Sequence, residues 1–522
     1  MAEPWVRYED EHLLVVAKPA GVNTHRADFR SQDGMHEWVQ RQRPGTSLSV
    51  LHRLDKTTSG LLLFGKSTEA NRSLAAQFEE HRVRKTYELL ARRGGGSVPS
   101  TSLSCREPID GRPAETDFEA SETGPRLQRY EARPASGRTH QVRVHAAALG
   151  LPVVGDERYG GDAAARVFLH AAALGIDHPV TGPLEIAEPR PVSFDQAMAA
   201  ADPSALTSAA LAAAVAHEAR ATLFDPADTD AYLWIDRHHD GFPDLRVERL
   251  GDVALALTYG DDALSRERSE ALLAQPGVRA VYELRRPRGG GGEPARLAAG
   301  DAPERFEVSE LGRRYLIDLG ASATSSGLFL DQRETRRRLL GSDLAGRTVL
   351  NTFAHTGSLS VVAAVAGAET LTLDLSKRYL AWAEENLRLN GIDPGDHDMV
   401  YGDAMEWMER FARKGRRFDV VIVDPPSSST SRRGSKRWVA ERDLHGLVQR
   451  AADVCAPGGT IFVSTNLRSM SWERFDEHLA QGLAAAGRQA QVEHQTLPLD
   501  HRSGTGDPPY LKAAWLVLDG NS

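Results

Sequence analysis

Apolar and polar positions obey three different rules along this chain. Through the first two hundred residues, short β-branched and aliphatic runs such as His12–Ala17 are broken by Gly and Pro and separated by helical stretches such as Ser67–Val83. That rhythm predicts an antiparallel-rich α+β unit over residues 1–200, built on a mixed or antiparallel sheet. From Phe194 the chain loses its large side chains, and residues 201–216, rich in alanine, are expected to bury little and to serve as a helical or flexible tether. Residues 217–315 open with two alternating runs about an Asp240-Gly241 turn and close near the glycine tract within Arg285–Asp301, a pattern that predicts a small α/β middle unit with a flexible loop. Beyond Arg347, strands of four to six apolar residues alternate with longer helical patterns. Arg347–Phe353, Thr370–Asp374, Phe418–Asp424 and Gly459–Ser464 read as strands, and Arg378–Gly391 and Glu441–Gly459 as helices. Such alternation predicts a parallel, Rossmann-like α/β sheet over residues 316–522, with Ala513–Gly520 as a last edge strand.

Length and composition bound the alternatives. At 522 residues the chain exceeds one ordinary core. Its longest apolar runs are too short to span a bilayer, and the start, MAEPWVRYEDEH, lacks the basic and greasy pattern of a secretion signal, so no membrane partner and a cytoplasmic location are expected. Cys105 and Cys455 lie in different units without a metal-ligand pattern, so neither a disulfide framework nor a metal site is expected. Lys and Arg number 63 against 72 Asp and Glu, a net charge of −9. The cations nevertheless cluster, at His81–Lys85, at Arg333 with Arg336 to Arg338, at Arg413–Arg417 and at Arg432–Arg437. That distribution permits a nucleic-acid partner or, equally, solvated helix faces.

The first candidate chemistry lies in LHRLDKTTSGLLLFGK, where Asp55 stands between Arg53 and a Thr/Ser/Gly turn that opens an apolar strand. That is a setting for a nucleophilic carboxylate. With Lys18-Pro19-Ala20-Gly21, Lys85-Thr86-Tyr87, the stretch Gly137–Gly161 and the stretch Phe168–Leu184 in the same order, the N-terminal part resembles the RluA family of RNA pseudouridine synthases. The resemblance implies that Asp55 drives the isomerisation of uridine without a cofactor, attacking either the base or C1′ of the ribose. A stacked uridine must first be flipped out of the RNA, and the family assigns Arg53 as the wedge that fills its place. It also implies that Tyr87 stacks on the target uracil and that Arg143 holds Asp55 ionised. Read as a strand, Gly137–His145 places Gln141, Arg143 and His145 opposite His140, Val142 and Val144. His140, His145 and His170 are expected to be core or RNA-contacting rather than metal ligands.

The second candidate chemistry begins at Asn351, where NTFAHTGSLSVVAA leaves a strand and opens a helix. Gly357 allows close backbone approach there, and Phe353 and Thr356 shape the turn. Asp374 closes the next strand, where an acid accepts ribose hydroxyls; Asp403 suits an adenine amino group; Asp424-Pro425-Pro426 ends a further strand where an acceptor must meet the transferred group. A glycine turn alone is shared with dinucleotide enzymes, but the spacing of turn, acids and prolines favours S-adenosyl-L-methionine as the cofactor. Together with Gly327–Leu340 and Asp424–Trp438, this part resembles the guanine-N7-methylating RlmK type of 23S rRNA methyltransferase and, less closely, the cytosine-C5-methylating RlmI type. The middle unit resembles the α/β RNA-binding domain that precedes the catalytic domain in both. C5 methylation needs a cysteine to add to the pyrimidine, and Ser464-Thr465-Asn466 stands where the cytosine enzymes carry one, so guanine N7 is the expected target. Ser428 replaces a family aromatic, which leaves base stacking to Trp438 or Phe329. The expectation is a bifunctional RNA-modification enzyme acting on 23S rRNA or a large-subunit precursor. The alternatives are a tRNA substrate for the first site, and cytosine methylation or a binding and assembly role for the second.

Overall fold

The structure is a computed structural model; it describes all residues except 1–2, 27–30, 94–101, 261, 288–292, 321–324, 431–436, 502–509 and 521–522. The glycine tract at 289–292 and the Arg432–Lys436 cluster lie outside the described residues. Three sheets carry the three rules seen in the sequence. The first is ten-stranded, and its main path runs Val6–Glu9, Leu13–Lys18, Ser59–Gly65, Leu169–His178, Arg84–Arg92, Leu127–Pro134, Thr116–Thr123 and Ser102–Cys105. Its pairings are antiparallel except where Ser59 and Gly60 run parallel to His170 and Ala171. A Cβ on Gly60, whose φ is 115°, would lie 2.2 Å from the Ala171 carbonyl oxygen, so only glycine allows that close crossing.

The middle sheet has five strands, Ala231–Asp236, Leu245–Leu250, Val253–Tyr259, Ala280–Arg286 and Arg296–Gly300. Its parallel pair, Val253–Tyr259 with Ala280–Arg286, is joined through the helix Arg266–Leu273. The third sheet orders seven strands as Asp398–Tyr401, Glu369–Asp374, Thr348–Thr352, Phe418–Val423, Cys455–Thr465, Lys512–Leu518 and Ala490–Gln495. The first five are parallel and nearly continuous in apolar residues because helices cover both faces. The C-terminal strand is not the edge expected of it: Lys512–Leu518 is inserted antiparallel between its neighbours, and Ala490–Gln495 takes the edge. Its alternate residues are buried on both sides, which an edge position would not require.

The alanine-rich segment is not a free tether. Ala209–Ala221 is a helix capped by Ser208, with Leu211, Ala213, Ala214, Val215, Ala216 and Ala219 buried. Leu211 and Val215 join a core cluster with Phe168 and Phe194 of the first unit, while Ala213 and Ala216 pack with Trp234 of the middle unit. Small side chains bring the helix close enough for Trp234 Nε1 to donate to the Ala213 carbonyl at 3.1 Å. The arginine cluster of the helix Arg333–Leu340 also proves structural in part. Arg333 and Arg336 are buried, and both bind Glu310; Arg333 also reaches Asp500 at 2.6 Å. Among the described residues no helix is long and apolar enough to cross a membrane.

Candidate active sites

Asp55 lies on the loop between Val50 and Ser59, in the wall of a cavity of about 900 Å³. The loop is pinned from both ends. Leu54 exchanges two hydrogen bonds with the Thr24 hydroxyl, at 3.1 and 3.0 Å, and His52 Nε2 accepts from the Leu63 backbone at 3.0 Å. Burial pushes His52 down to about 3, so the ring stays neutral and serves as an anchor. Arg53 is exposed at the cavity rim. Tyr87 lines the same cavity from the strand Arg84–Arg92; burial, and then the charge of Asp55, raise its hydroxyl above the ordinary tyrosine range. Lys85 lies beside it, brought down to about 8 by burial, with Nζ donating to the Ser136 carbonyl at 2.8 Å.

Gln141–Ala148 is a helix, not the strand expected from its alternation. His140 precedes it in the left-handed region, φ 56°, and turns the chain from the Gly137–Thr139 loop into the helix. The helix puts residues three apart on one face, so His140 and Arg143 both reach Asp55. Arg143 Nη1 donates to Asp55 Oδ2 at 3.2 Å, while its Nε and Nη2 form a fork on Asp156 at 2.7 Å each. One guanidinium therefore ties the Asp55 carboxylate to a buried second acid. His140 Nε2 stands 3.8 Å from Asp55 Oδ1 and its Nδ1 is 2.8 Å from the Tyr159 hydroxyl. Burial holds His140 below its ordinary range despite the neighbouring carboxylate. His145 and His170 are core groups, bound to Thr116 and Ser59. The sequence reading missed Asp156 and Tyr159, although both lie in the quoted Gly137–Gly161 stretch; a buried acid 13 residues beyond an arginine carries no periodic mark.

The second cavity, about 470 Å³, opens at the carboxyl ends of the parallel strands, where ligands bind in such sheets. Phe353, Asp374, Asp424 and Pro425 line it. Asp374 accepts from the backbone of His355 at 2.9 Å and of Ser376 at 2.8 Å, and burial raises its pKa. Asp424 accepts from the Ser464 hydroxyl at 2.5 Å and is pushed up to about 6, chiefly by burial. Asn351 and Thr356 do not face the cavity. Both are buried behind the turn, Asn351 on Ser360 at 2.9 Å and Thr356 on the Gly327 carbonyl. Gly357, at φ 73°, starts the helix Ser358–Val365; a Cβ there would sit 2.5 Å from that of Ala383, so its role is helix packing as well as turn geometry. Asp403 caps the helix Ala404–Arg413 through Met405 and Glu406, at 2.9 and 3.2 Å, and the cavity wall passes through its neighbours Gly402 and Ala404.

His355 was not foreseen. It sits in the left-handed region at φ 51°, packs against Tyr379 at 4.2 Å and Phe329 at 4.9 Å, and its Nε2 is buried with no hydrogen-bond partner among the described residues. Phe329, not Trp438, lines the cavity; the Ser428 side chain lies outside the described residues. An acid for hydroxyls at one end, aromatic walls, an orphaned ring nitrogen and a second acid beside two prolines fit S-adenosylmethionine, which when bound supplies an electrophilic methyl group. No thiol lines the cavity among the described residues, and Cys455 is buried with its thiol pushed up to about 12 by burial.

Residues 12–148 match the family described as RNA pseudouridylate synthase, and residues 275–489 the family described as S-adenosylmethionine-dependent methyltransferase. The chain joins a region that matches pseudouridine synthases to one that matches methyltransferases. Curated relatives of the methyltransferase domain include ribosomal RNA large subunit methyltransferase K/L of Allochromatium vinosum, 38% identical over 247 residues, or 47% of this chain and 31% of that protein. Another is ribosomal RNA large subunit methyltransferase K of Neisseria meningitidis, 37% identical over 205 residues, or 39% of this chain and 55% of that protein. The chain thus spans from about a third to about half the length of these relatives. The solved structure of SMU.776 with SAH aligns at a TM-score of 0.53 and 23% identity, covering 68% of this chain and 89% of that one. A SAM-dependent methyltransferase structure from Streptococcus mutans aligns at 0.52 and 23%, covering 66% and 87%. These two likenesses concern the fold.

Proposed function

We propose that the chain modifies RNA at two sites: it isomerises uridine to pseudouridine through Asp55, and it transfers a methyl group from S-adenosylmethionine to N7 of a guanine in 23S rRNA or its precursor. The observation that carries the first activity is the Asp55 carboxylate, bound at 3.2 Å by a guanidinium that is itself locked on Asp156, in a cavity walled by Tyr87 and rimmed by exposed Arg53. Such a carboxylate is oriented, as attack on base or sugar requires. The extruded base would lie against Tyr87, and Arg53 would occupy the space it left. For the second activity, a donor cavity without a thiol favours an acceptor that is already nucleophilic. Guanine N7 meets that need with its own lone pair: the pair forms the new N–C bond as the S–C bond breaks, and its electrons stay on sulfur. Asp374 would hold the donor ribose and Asp424 would orient groups at the point of transfer.

The test is mass-spectrometric mapping of 23S rRNA and tRNA from cells with and without the protein. Loss of one set of pseudouridines and one 7-methylguanosine from 23S rRNA supports both assignments. Loss of pseudouridine from tRNA alone overturns the rRNA assignment, and loss of a 5-methylcytosine overturns the N7 target.

A further inference from the structure

A second polar chamber, about 250 Å³, lies between the middle sheet and the methyltransferase domain. It shares Ser325, Phe329, Asp331 and Asn466 with the donor cavity, so the two are neighbours across a common wall. Three arginines line it: Arg246 and Arg286 from the middle sheet and exposed Arg468 from the loop after Cys455–Thr465. Glu248 and Asp331 are its acids. Two large hydrophobic rings that remain open to solvent also face it, Phe329 at 44% and Tyr259 at 37%. The Arg237 guanidinium already stands 4.6 Å over the Tyr259 ring, which leaves Phe329 as the exposed ring beside the cations of a concave site, a setting that suits a stacking ligand with a negative charge.

The chamber is also held in shape. Arg336 Nη2 donates to the Phe329 carbonyl at 2.9 Å and fixes the backbone that carries the ring. The Tyr510 hydroxyl donates to Asp331 Oδ2 at 2.9 Å and orients that carboxylate on the shared wall, while the Arg468 guanidinium stands 5.1 Å over the Tyr510 ring. A carboxylate only accepts hydrogen bonds. Guanine, with a ring N–H beside an exocyclic amine, satisfies it with two bonds, whereas adenine turns a ring acceptor toward it.

We infer that this chamber seats the acceptor nucleotide. Phe329 stacks on the base, Asp331 accepts from the base's N–H groups, and Arg286 with Arg468 holds the adjoining phosphate. The inference rests on the guanine-methyltransferase reading above and gives the middle sheet a defined share in the site.

The test uses the full chain and a double variant, Arg286→Ala with Arg468→Ala. The expected result is a KM for rRNA raised on the order of tenfold or more and a flatter salt dependence, with the affinity for S-adenosylmethionine unchanged by calorimetry. An unchanged KM, or donor affinity falling in parallel, overturns the inference while leaving methylation itself intact. Binding of guanosine 5′-monophosphate to the protein loaded with S-adenosylhomocysteine gives a readout that needs no turnover. Wild-type protein should prefer it to adenosine 5′-monophosphate; Asp331→Asn should remove that preference and the double variant should weaken binding. If wild-type protein methylates no RNA, the proposed function fails, and the nucleotide titration still decides the chamber: binding that the double variant retains overturns it.

Discussion

Replacing Asp424 by asparagine should stabilise the protein at neutral pH and cost it methyl transfer. Asp424 ends a buried strand, and its pKa moves from 3.8 to about 6, with burial the main cause, the Ser464 hydrogen bond opposing it and the nearby charge of Asp331 adding to it. A displacement of about two units corresponds to a ceiling of about 3 kcal/mol. The carboxyl has one side on the donor cavity, where solvent screens it, so about 1–2 kcal/mol is the expected size. The sign follows from linkage. A group whose folded value is raised contributes stability that is complete below its unfolded value and is lost as pH climbs through the folded one, here between about 4 and about 6. Asparagine keeps the shape, still accepts from Ser464 and does not ionise. Urea unfolding without donor, followed by tryptophan fluorescence, should therefore place Asp424→Asn above wild type by about 1–2 kcal/mol near pH 7.5 and close the gap near pH 4. A variant no more stable at the higher pH, or an offset independent of pH, would refute the argument. If the ionised form is required, wild-type methyl transfer should itself rise as pH passes about 6.

Asp55→Asn should abolish pseudouridine formation and leave methylation at its wild-type rate, measured by radiolabel release from uridine and by methyl incorporation; surviving isomerisation would remove Asp55 as the nucleophile. Asp374→Ala removes a hydrogen-bonded acid from the donor cavity and should raise the donor dissociation constant about 10- to 100-fold by calorimetry. An unchanged constant would defeat the ribose contact. Ala216→Leu adds volume to a fully buried position between two units and should destabilise the protein by about 1–3 kcal/mol in denaturant titration; a neutral outcome would restore the flexible-tether reading of that segment.

Strand ends were the legible part of this molecule. Parallel strands covered on both faces show as continuous apolar runs, so Asp374 and Asp424 could be placed at the rim of the sheet from periodicity alone. Gly137–His145 was harder because a stretch of nine residues with alternating valines suits a strand as well as one apolar edge of a short helix. Arg143 was expected beside Asp55 and lies there, but on a helix, with His140 beside it. Alanine-rich sequence misled in the opposite direction: few large side chains looked like little burial, yet small residues are what let the helix Ala209–Ala221 approach two cores closely. Arg333 and Arg336 looked like solvent-facing cations since their partners, Glu310 and Asp500, lie 23 and 167 residues away from Arg333 in sequence. Pairings of that range leave no local signal.

The packed joint alters the physical argument for uniting two sites in one chain. A flexible tether would raise the effective concentration of each site over a broad range of target spacings. Here the helix Ala209–Ala221 is shared between cores, and the first unit also grips the methyltransferase domain directly: Arg41 binds Glu334 at 3.1 Å, Arg337 donates to Gln42 at 2.9 Å, and Gln32 reaches the Pro498 carbonyl at 3.3 Å. Glu334 is buried under those cations and its acidity is increased by them against the pull of burial, so the contact is a desolvated interface rather than a chance surface encounter. Avidity in such an arrangement is narrow. With the two activities proposed above, an RNA would gain from both sites at once only where its uridine and its guanine stand at the separation the joint sets, and any other RNA would meet each site singly. On that proposal, the same contacts that remove the tether would turn the distance between the two pockets into a criterion of substrate choice.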